Sequence, residues 1–110
     1  MVLNRGDIVG INLNPKKGDE VGKVRPCVIV SDNESNTILD TIIIMPLSTQ
    51  LIDDMLPFRL RLAKRDKLNY NSDILINHIR TISKKRVTSL IGKITDEEYN
   101  LIIENLCKNF

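Results

Sequence analysis

The chain has 110 residues, 42% hydrophobic and 27% charged, which fits one globular domain with a modest core and excludes a disordered tract. Sixteen Lys and Arg face 14 Asp and Glu, a formal net charge of +2, so total charge does not mark a nucleic-acid binder, although its distribution can. The densest apolar run, Ile42-Ile43-Ile44-Met45-Pro46-Leu47, falls far short of the ~20 residues of a membrane helix. Residues 1–7 lack the basic-then-apolar pattern of a signal peptide. The expectation is a cytoplasmic chain with no membrane association. Cys27 and Cys107 each sit in an apolar segment and are expected to be small buried hydrophobes in a reducing compartment. One His and no closely spaced Cys pair argue against a structural zinc site. No phosphate-loop, dinucleotide or nucleophile-elbow signature is present, so neither a metal nor a cofactor is expected.

The first predicted strand runs from Asp7 to Leu13, with Val9, Ile11 and Leu13 on one face. Residues 14–23 are rich in Gly, Pro and polar side chains and read as a loop. A second strand, Val24 to Ser31, is apolar enough after Pro26 to be buried on both faces. Residues 32–36 read as a turn. Thr41 to Leu47 is a third strand, rich in β-branched Ile. In the fourth, Leu56, Phe58, Leu60 and Leu62 alternate with Arg59 and Arg61. An extended region from Asp73 to Ile82 and a short strand from Val87 to Ile94 follow. The chain then ends in a helix. Thr95 and Glu98 have capping-box spacing, and Tyr99, Ile102, Ile103 and Leu106 form one apolar stripe. This is a mainly β (α+β) layout, a single domain over 1–110. Five or six short antiparallel strands close into a small barrel, since closure removes exposed edges, and the C-terminal helix covers the remaining apolar surface.

Charge is uneven along this layout. Residues 59–86 hold nine basic side chains, among them Arg59, Arg61, Arg80, Lys84 and Arg86, against Asp66 and Asp73. Such a concentration suits a phosphate backbone, but alternating strands with a solvated charged face produce it too. Charge alone does not separate the two readings. The few aromatics form no stacking array of the kind found in general single-strand binders.

Two segments carry a resemblance. Arg5-Gly6-Asp7-Ile8-Val9 opens the first strand. After the loop comes Gly18-Asp19-Glu20-Val21-Gly22-Lys23-Val24-Arg25-Pro26-Cys27-Val28-Ile29-Val30. Further on stands Ile79-Arg80-Thr81-Ile82, followed by Lys84, Lys85 and Arg86. Together these resemble the MazF/PemK family of toxin endoribonucleases from type II toxin–antitoxin systems. The resemblance implies an SH3-like barrel that forms a homodimer and cleaves single-stranded RNA, at short motifs and without a metal. It also implies a MazE-like cognate antitoxin whose acidic C-terminal tail blocks the same groove.

The family's catalytic Arg falls on Arg25, its nearby Glu on Glu20, and its catalytic Thr on Ser48. Ser keeps the hydroxyl but lacks the methyl that stiffens the side chain. Thr49 takes that role if the strand carries a bulge. His78 stands where the family often has Gln. In metal-free RNA cleavage the ribose 2′-OH is the nucleophile, and the enzyme must accept its proton, stabilise charge on phosphorus and protonate the leaving 5′-oxygen. Glu20 suits the base and Arg25 offers a planar fork of donors to two phosphate oxygens. Ser48 can donate to a third. Arginine's high pKa favours an electrostatic role over proton donation, and His78 is the better matched acid. Lys16, Lys17, Lys23, Arg80, Lys84 and Arg86 are the expected RNA contacts. Taken without the family, Glu20 is equally a solvated loop acid, Arg25 a staple pairing with it, and Ser48 a turn residue. Two alternatives of the same fold remain at this point: a non-nucleolytic gyrase poison, disfavoured because the chain has no Trp, and a catalytically inactive nucleic-acid-binding barrel.

Overall fold

The computed structural model describes residues 1–13 and 24–110. The expected loop 14–23, with Lys16, Lys17, Glu20 and Lys23, lies outside the described residues. In chain order the elements are β1 (Asp7–Asn12), β2 (Val24–Ile29), α1 (Asn33–Ile38), β3 (Thr41–Ser48), β4 (Arg59–Leu62), β5 (Ser72–Leu75), β6 (Arg80–Ser83), β7 (Val87–Lys93) and α2 (Asp96–Cys107). Every strand pairing is antiparallel. The strand order is β4-β5-β3-β2-β1-β7, with β6 also pairing β3. No helix among the described residues is long and apolar enough to cross a membrane.

The mainly β layout with a C-terminal helix matches the expectation, with three differences. The strands number seven among the described residues, because the extended region 73–82 is two strands broken by a 3-10 turn, Ile76–His78. That turn moves the chain from pairing with Leu47 and Ser48 to pairing with Ile44 and its predecessors on β3. The fourth strand starts only at Arg59: Pro57 has no N–H to give a ladder, and the amides of Phe58 and Arg59 turn back to the Met55 carbonyl (2.7 and 3.0 Å). Finally, β4 and β7 end the pairing path without pairing to each other, so the sheet is barrel-like without closing. A bond from the Lys67 amide to the Ile91 carbonyl (3.0 Å) ties the β4–β5 connection to β7.

The turn expected at 32–36 is the short helix α1. Asp32 caps it by accepting from the Ser35 amide (2.8 Å), and its buried Asn36 exchanges hydrogen bonds with Ser31. The opening Arg-Gly-Asp is structural. Gly6 sits at φ +87°, a conformation open to glycine. Its amide bonds the Ile29 carbonyl and its carbonyl accepts from Ile94. Arg5 stacks over the Tyr99 ring at 4.4 Å.

Strand β1, the Cys27–Ile29 half of β2 and the Ile44–Leu47 stretch of β3 are buried on both faces, as the apolar run in β2 predicts. One cluster, with Ile8, Val28, Met45, Leu47, Ile74 and Ile102, lies under α2. The other, with Val9, Ile11, Cys27, Ile29, Ile42 and Ile44, fills the opposite face. Cys27 is buried as expected, but Cys107 is exposed near the end of α2, one position past the apolar stripe. Helix α2 has the full capping box between Thr95 and Glu98. Ile102 is fully buried, with Tyr99 and Leu106 packed beside it.

Arg65 reaches Glu98 through two guanidinium nitrogens, Nη2 to Oε2 at 2.7 Å. This pair fixes the N-terminus of α2 to the β4–β5 connection. The Arg65 bonds chiefly, aided by the Thr95 amide, hold the Glu98 carboxyl below its ordinary pKa against the opposing effect of burial. Deleting most of the Ile102 side chain removes buried methyls and leaves a cavity. Ile102→Ala is therefore expected to lower unfolding stability by about 2–5 kcal/mol; a loss under about 1 kcal/mol in urea titration contradicts this packing. Because the folded pKa of Glu98 is depressed, its contribution is whole above the unfolded carboxylate value of about 4.3 and is lost as pH falls through the folded value. Glu98→Gln keeps the capping geometry but loses the charge. It should be less stable than wild type at pH 7 and converge with it toward pH 3; urea midpoints that stay equally far apart at both pH values refute the assignment.

Candidate active site

The site is organised by cross-strand register. On β3, Ser48 is the direct partner of Asp73 on β5, and Asp73 is the direct partner of Arg61 on β4. On the other side the β2–β3 ladder runs Ile29↔Ile44, Val28↔Met45, Cys27↔Pro46. That ladder ends at Cys27 and Pro46; Arg25 lies one side-chain repeat beyond Cys27 on its face of β2, and Ser48 one repeat beyond Pro46 on its face of β3. Directly paired residues share a sheet face. Ser48, Asp73 and Arg61 thus form one row across β3, β5 and β4, while Arg25 shares the face of β2 that carries Cys27.

Arg25 is exposed at the start of β2 and pairs with Ile11 of β1. Arg80 opens β6 opposite Ile44, on the same face two side-chain repeats along β3. The buried thiol of Cys27 registers both cations: burial pushes its pKa up to about 12, while Arg25 and Arg80 pull the other way. The core therefore runs out, at this end of the sheet, beneath two guanidinium groups.

Ser48 is half-buried at the end of β3, and its Oγ accepts from the Gln50 amide (3.2 Å). Thr49 lies beyond the strand and is exposed. No register shift interrupts the pairs of β3 with β2 or with β5. Ser48 is thus the last residue of β3, and Thr49 the first beyond it. His78 is exposed at the end of the 3-10 turn that runs alongside β3 between its pairings with β5 and β6.

The expected basic footprint is smaller than the sequence count. Arg59 and Arg61 are engaged by acids: Arg59 Nη1 to Asp73 Oδ2 at 3.1 Å, Arg61 Nε to Asp73 Oδ1 at 2.6 Å, and Arg61 Nη2 to Asp53 Oδ1 at 2.8 Å. Arg65 is held by Glu98. Of the expected RNA contacts, Lys84 Nζ donates to the Asn36 carbonyl (2.7 Å) and Arg86 Nη1 to the Leu13 carbonyl (3.3 Å). Both cations thus fasten neighbouring elements. Among the described residues no three His, Cys, Asp or Glu side chains gather as a metal-holding group.

Sequence reasoning missed Asp73, which it counted only as an offset to the basic residues. The Asp73 carboxylate is 1% exposed. Burial is the largest influence on it and raises its pKa, but the bonds from Arg61, the Ile52 amide and Arg59 together outweigh burial and leave it lowered. Alternation placed Arg59 and Arg61 on one face, but no local signal says which later acid they meet. Beside this cluster opens a cleft of about 400 Å³ between β4 and the connection 49–58, walled by Ile52, Met55 and Leu56 and floored by Asp73.

The model of the PemK-like, MazF-like toxins of type II toxin–antitoxin systems matches residues 4–110. Endoribonuclease EndoA of Bacillus subtilis is 34% identical over 107 residues, covering 96% of this chain and 92% of that protein. Among solved structures, a MazE–MazF complex from Deinococcus radiodurans superposes with a TM-score of 0.80 at 19% identity, over 99% of this chain and 96% of that one. A mycobacterial endoribonuclease in complex with its cognate antitoxin gives 0.73 at 21% identity, over 97% and 91%. The two structures carry the fold, and the family match and the Bacillus relative carry the kinship: this chain belongs to the PemK-like, MazF-like toxins of type II toxin–antitoxin systems.

Proposed function

We propose that this chain is the toxin of a type II toxin–antitoxin pair, a sequence-specific endoribonuclease that cuts single-stranded RNA without a metal ion. The observation that supports this most is the β2–β3 register, in which Arg25 and Ser48 each follow the Cys27–Pro46 pair by one side-chain repeat on the same face of their strands. Arg25 stabilises the extra negative charge on the phosphorus-centred transition state, matching two oxygens with a planar fork. Ser48 donates its hydroxyl hydrogen to a third oxygen. Glu20, on the connection that leads into β2, accepts the proton of the ribose 2′-OH. The 2′-oxygen bonds to phosphorus as the bond to the 5′-oxygen breaks. The products are a 2′,3′-cyclic phosphate and a 5′-hydroxyl. His78 is the sole imidazole of the chain and is the candidate donor of a proton to the departing 5′-oxygen.

Arg80, with Lys16, Lys17 and Lys23 from the β1–β2 connection, holds the RNA backbone by charge. Lys84 and Arg86 add to the same positive edge while anchoring the carbonyls of Asn36 and Leu13. The protein works in the cytoplasm as a homodimer with RNA across the interface. A cognate antitoxin with an acidic tail silences it by occupying the same cationic groove.

The test is digestion of a long defined RNA in the presence of EDTA, with the cut ends mapped. Cleavage at a short recurring motif, leaving cyclic-phosphate and 5′-hydroxyl ends, is expected. Arg25→Ala and Ser48→Ala should each lose about 100- to 1000-fold in rate, the usual cost of one preorganised donor, with melting curves near wild type. Cleavage by Arg25→Ala at the wild-type rate contradicts the proposal. Arg80→Ala should weaken RNA binding and flatten its salt dependence; an unchanged slope removes Arg80 from the backbone contacts.

A further inference from the structure

We propose that Asp73 is a positioning residue for the Ser48 hydroxyl, acting through Arg59 and the backbone of Gln50. The inference rests on the role given to Ser48 above and extends it to a buried acid outside the expected machinery. Four contacts carry it. Asp73 Oδ2 accepts from Arg59 Nη1 (3.1 Å) and from the Ile52 amide (2.9 Å). The same Arg59 Nη1 donates to the Gln50 carbonyl (2.9 Å). The Gln50 amide donates to Ser48 Oγ (3.2 Å). A second arm runs from Asp73 Oδ1 to Arg61 Nε (2.6 Å) and on to Asp53 (2.8 Å). One carboxylate thereby pins residues 50, 52 and 53, directly after the strand that ends in Ser48.

This geometry matters because of what a serine hydroxyl is. It has one donor hydrogen and two acceptor lone pairs. With no β-methyl, it turns readily among three staggered wells. The Gln50 N–H occupies one lone pair and so selects among those wells, leaving the hydroxyl hydrogen to donate elsewhere. Gln50 itself is exposed, just beyond the strand; the Arg59–Asp73 pair holds its carbonyl, which restrains, across one Cα, the neighbouring peptide whose N–H meets Ser48. An ionised, buried acceptor suits this task, because charge-assisted bonds are short and strong and a buried ion leaves its partners little freedom to wander. Arg59 and Arg61 are in this account brackets for the 49–58 connection, not ligands for RNA.

The experiment measures single-turnover RNA cleavage and RNA affinity for wild type, Asp73→Asn, Ser48→Ala and the double variant. Asp73→Asn should cut about 100-fold more slowly, the scale of a 1 Å misplacement, with RNA affinity within about twofold of wild type. The double variant should be no slower than Ser48→Ala alone, since the group being positioned is gone. A loss in the double variant that multiplies the two single losses, or a wild-type rate for Asp73→Asn, overturns the inference. Should Asp73→Asn fail to fold, Arg59→Gln cuts only the arm that reaches Gln50, and the same cycle with Ser48→Ala decides. Amide exchange supplies a readout independent of cleavage. The amides of Gln50 and Ile52 should exchange faster in Asp73→Asn while those of β1 keep their protection; unchanged exchange at both also overturns it. A wild-type protein that cuts no RNA fails the functional reading instead, and the exchange result still stands on its own.

Discussion

Strand β3 takes three partners, β2 on one side and β5 and β6 on the other, and the molecule depends on the register of those ladders. Side chains alternate with a period of two, so a slip of one residue would turn every β3 side chain to the opposite face. Packing forbids that slip. Ile42 and Ile44 fill one core cluster while Met45 and Leu47 fill the other, and both sets are almost completely buried. Ser48 inherits its direction from these neighbours. Arg25 inherits its own from Cys27 and Ile29 by the same rule. The facing of these two side chains is thus a consequence of core packing several residues away.

Charge in the molecule divides into two kinds by depth. Arg59, Arg61 and Arg65 are engaged by Asp73, Asp53 and Glu98 and serve as joints between elements. Lys84 and Arg86 cap carbonyls of Asn36 and Leu13. Arg25 and Arg80 stand where the apolar layer around Cys27 ends, and both charges act on its thiol against the effect of burial. A phosphate approaching this edge meets guanidinium groups over a low-dielectric floor, where their attraction is least screened.

Much of this was legible in the residues and some was not. The β2 run Cys27-Val28-Ile29 announced burial on both faces, and Thr95 with Glu98 announced the cap of α2, because apolar density and capping spacing are local signals. Helix α1 was missed because Asn33-Glu34-Ser35-Asn36 has weak propensity and no apolar period; its one signal was the Asp32 cap. The break at Ile76–His78 was missed because only the change of partner on β3 requires it. Arg25 and Ser48 were singled out by family resemblance. Their common face follows from inter-strand register, which no single strand encodes. Asp73 stayed hidden for the same reason: an acid among bases looks like charge balance until its partners are known.

The central claim is that the β2–β3 register puts Arg25 and Ser48 on the same phosphate. It is tested most directly by a structure of the protein with an RNA carrying 2′-deoxyribose on the 5′ side of the scissile phosphate, which removes the nucleophile and leaves the rest of the substrate intact. The account predicts that phosphate within hydrogen-bond distance of both the Arg25 guanidinium and Ser48 Oγ. A scissile phosphate seated away from these two groups, with Arg25 turned to another partner, contradicts it.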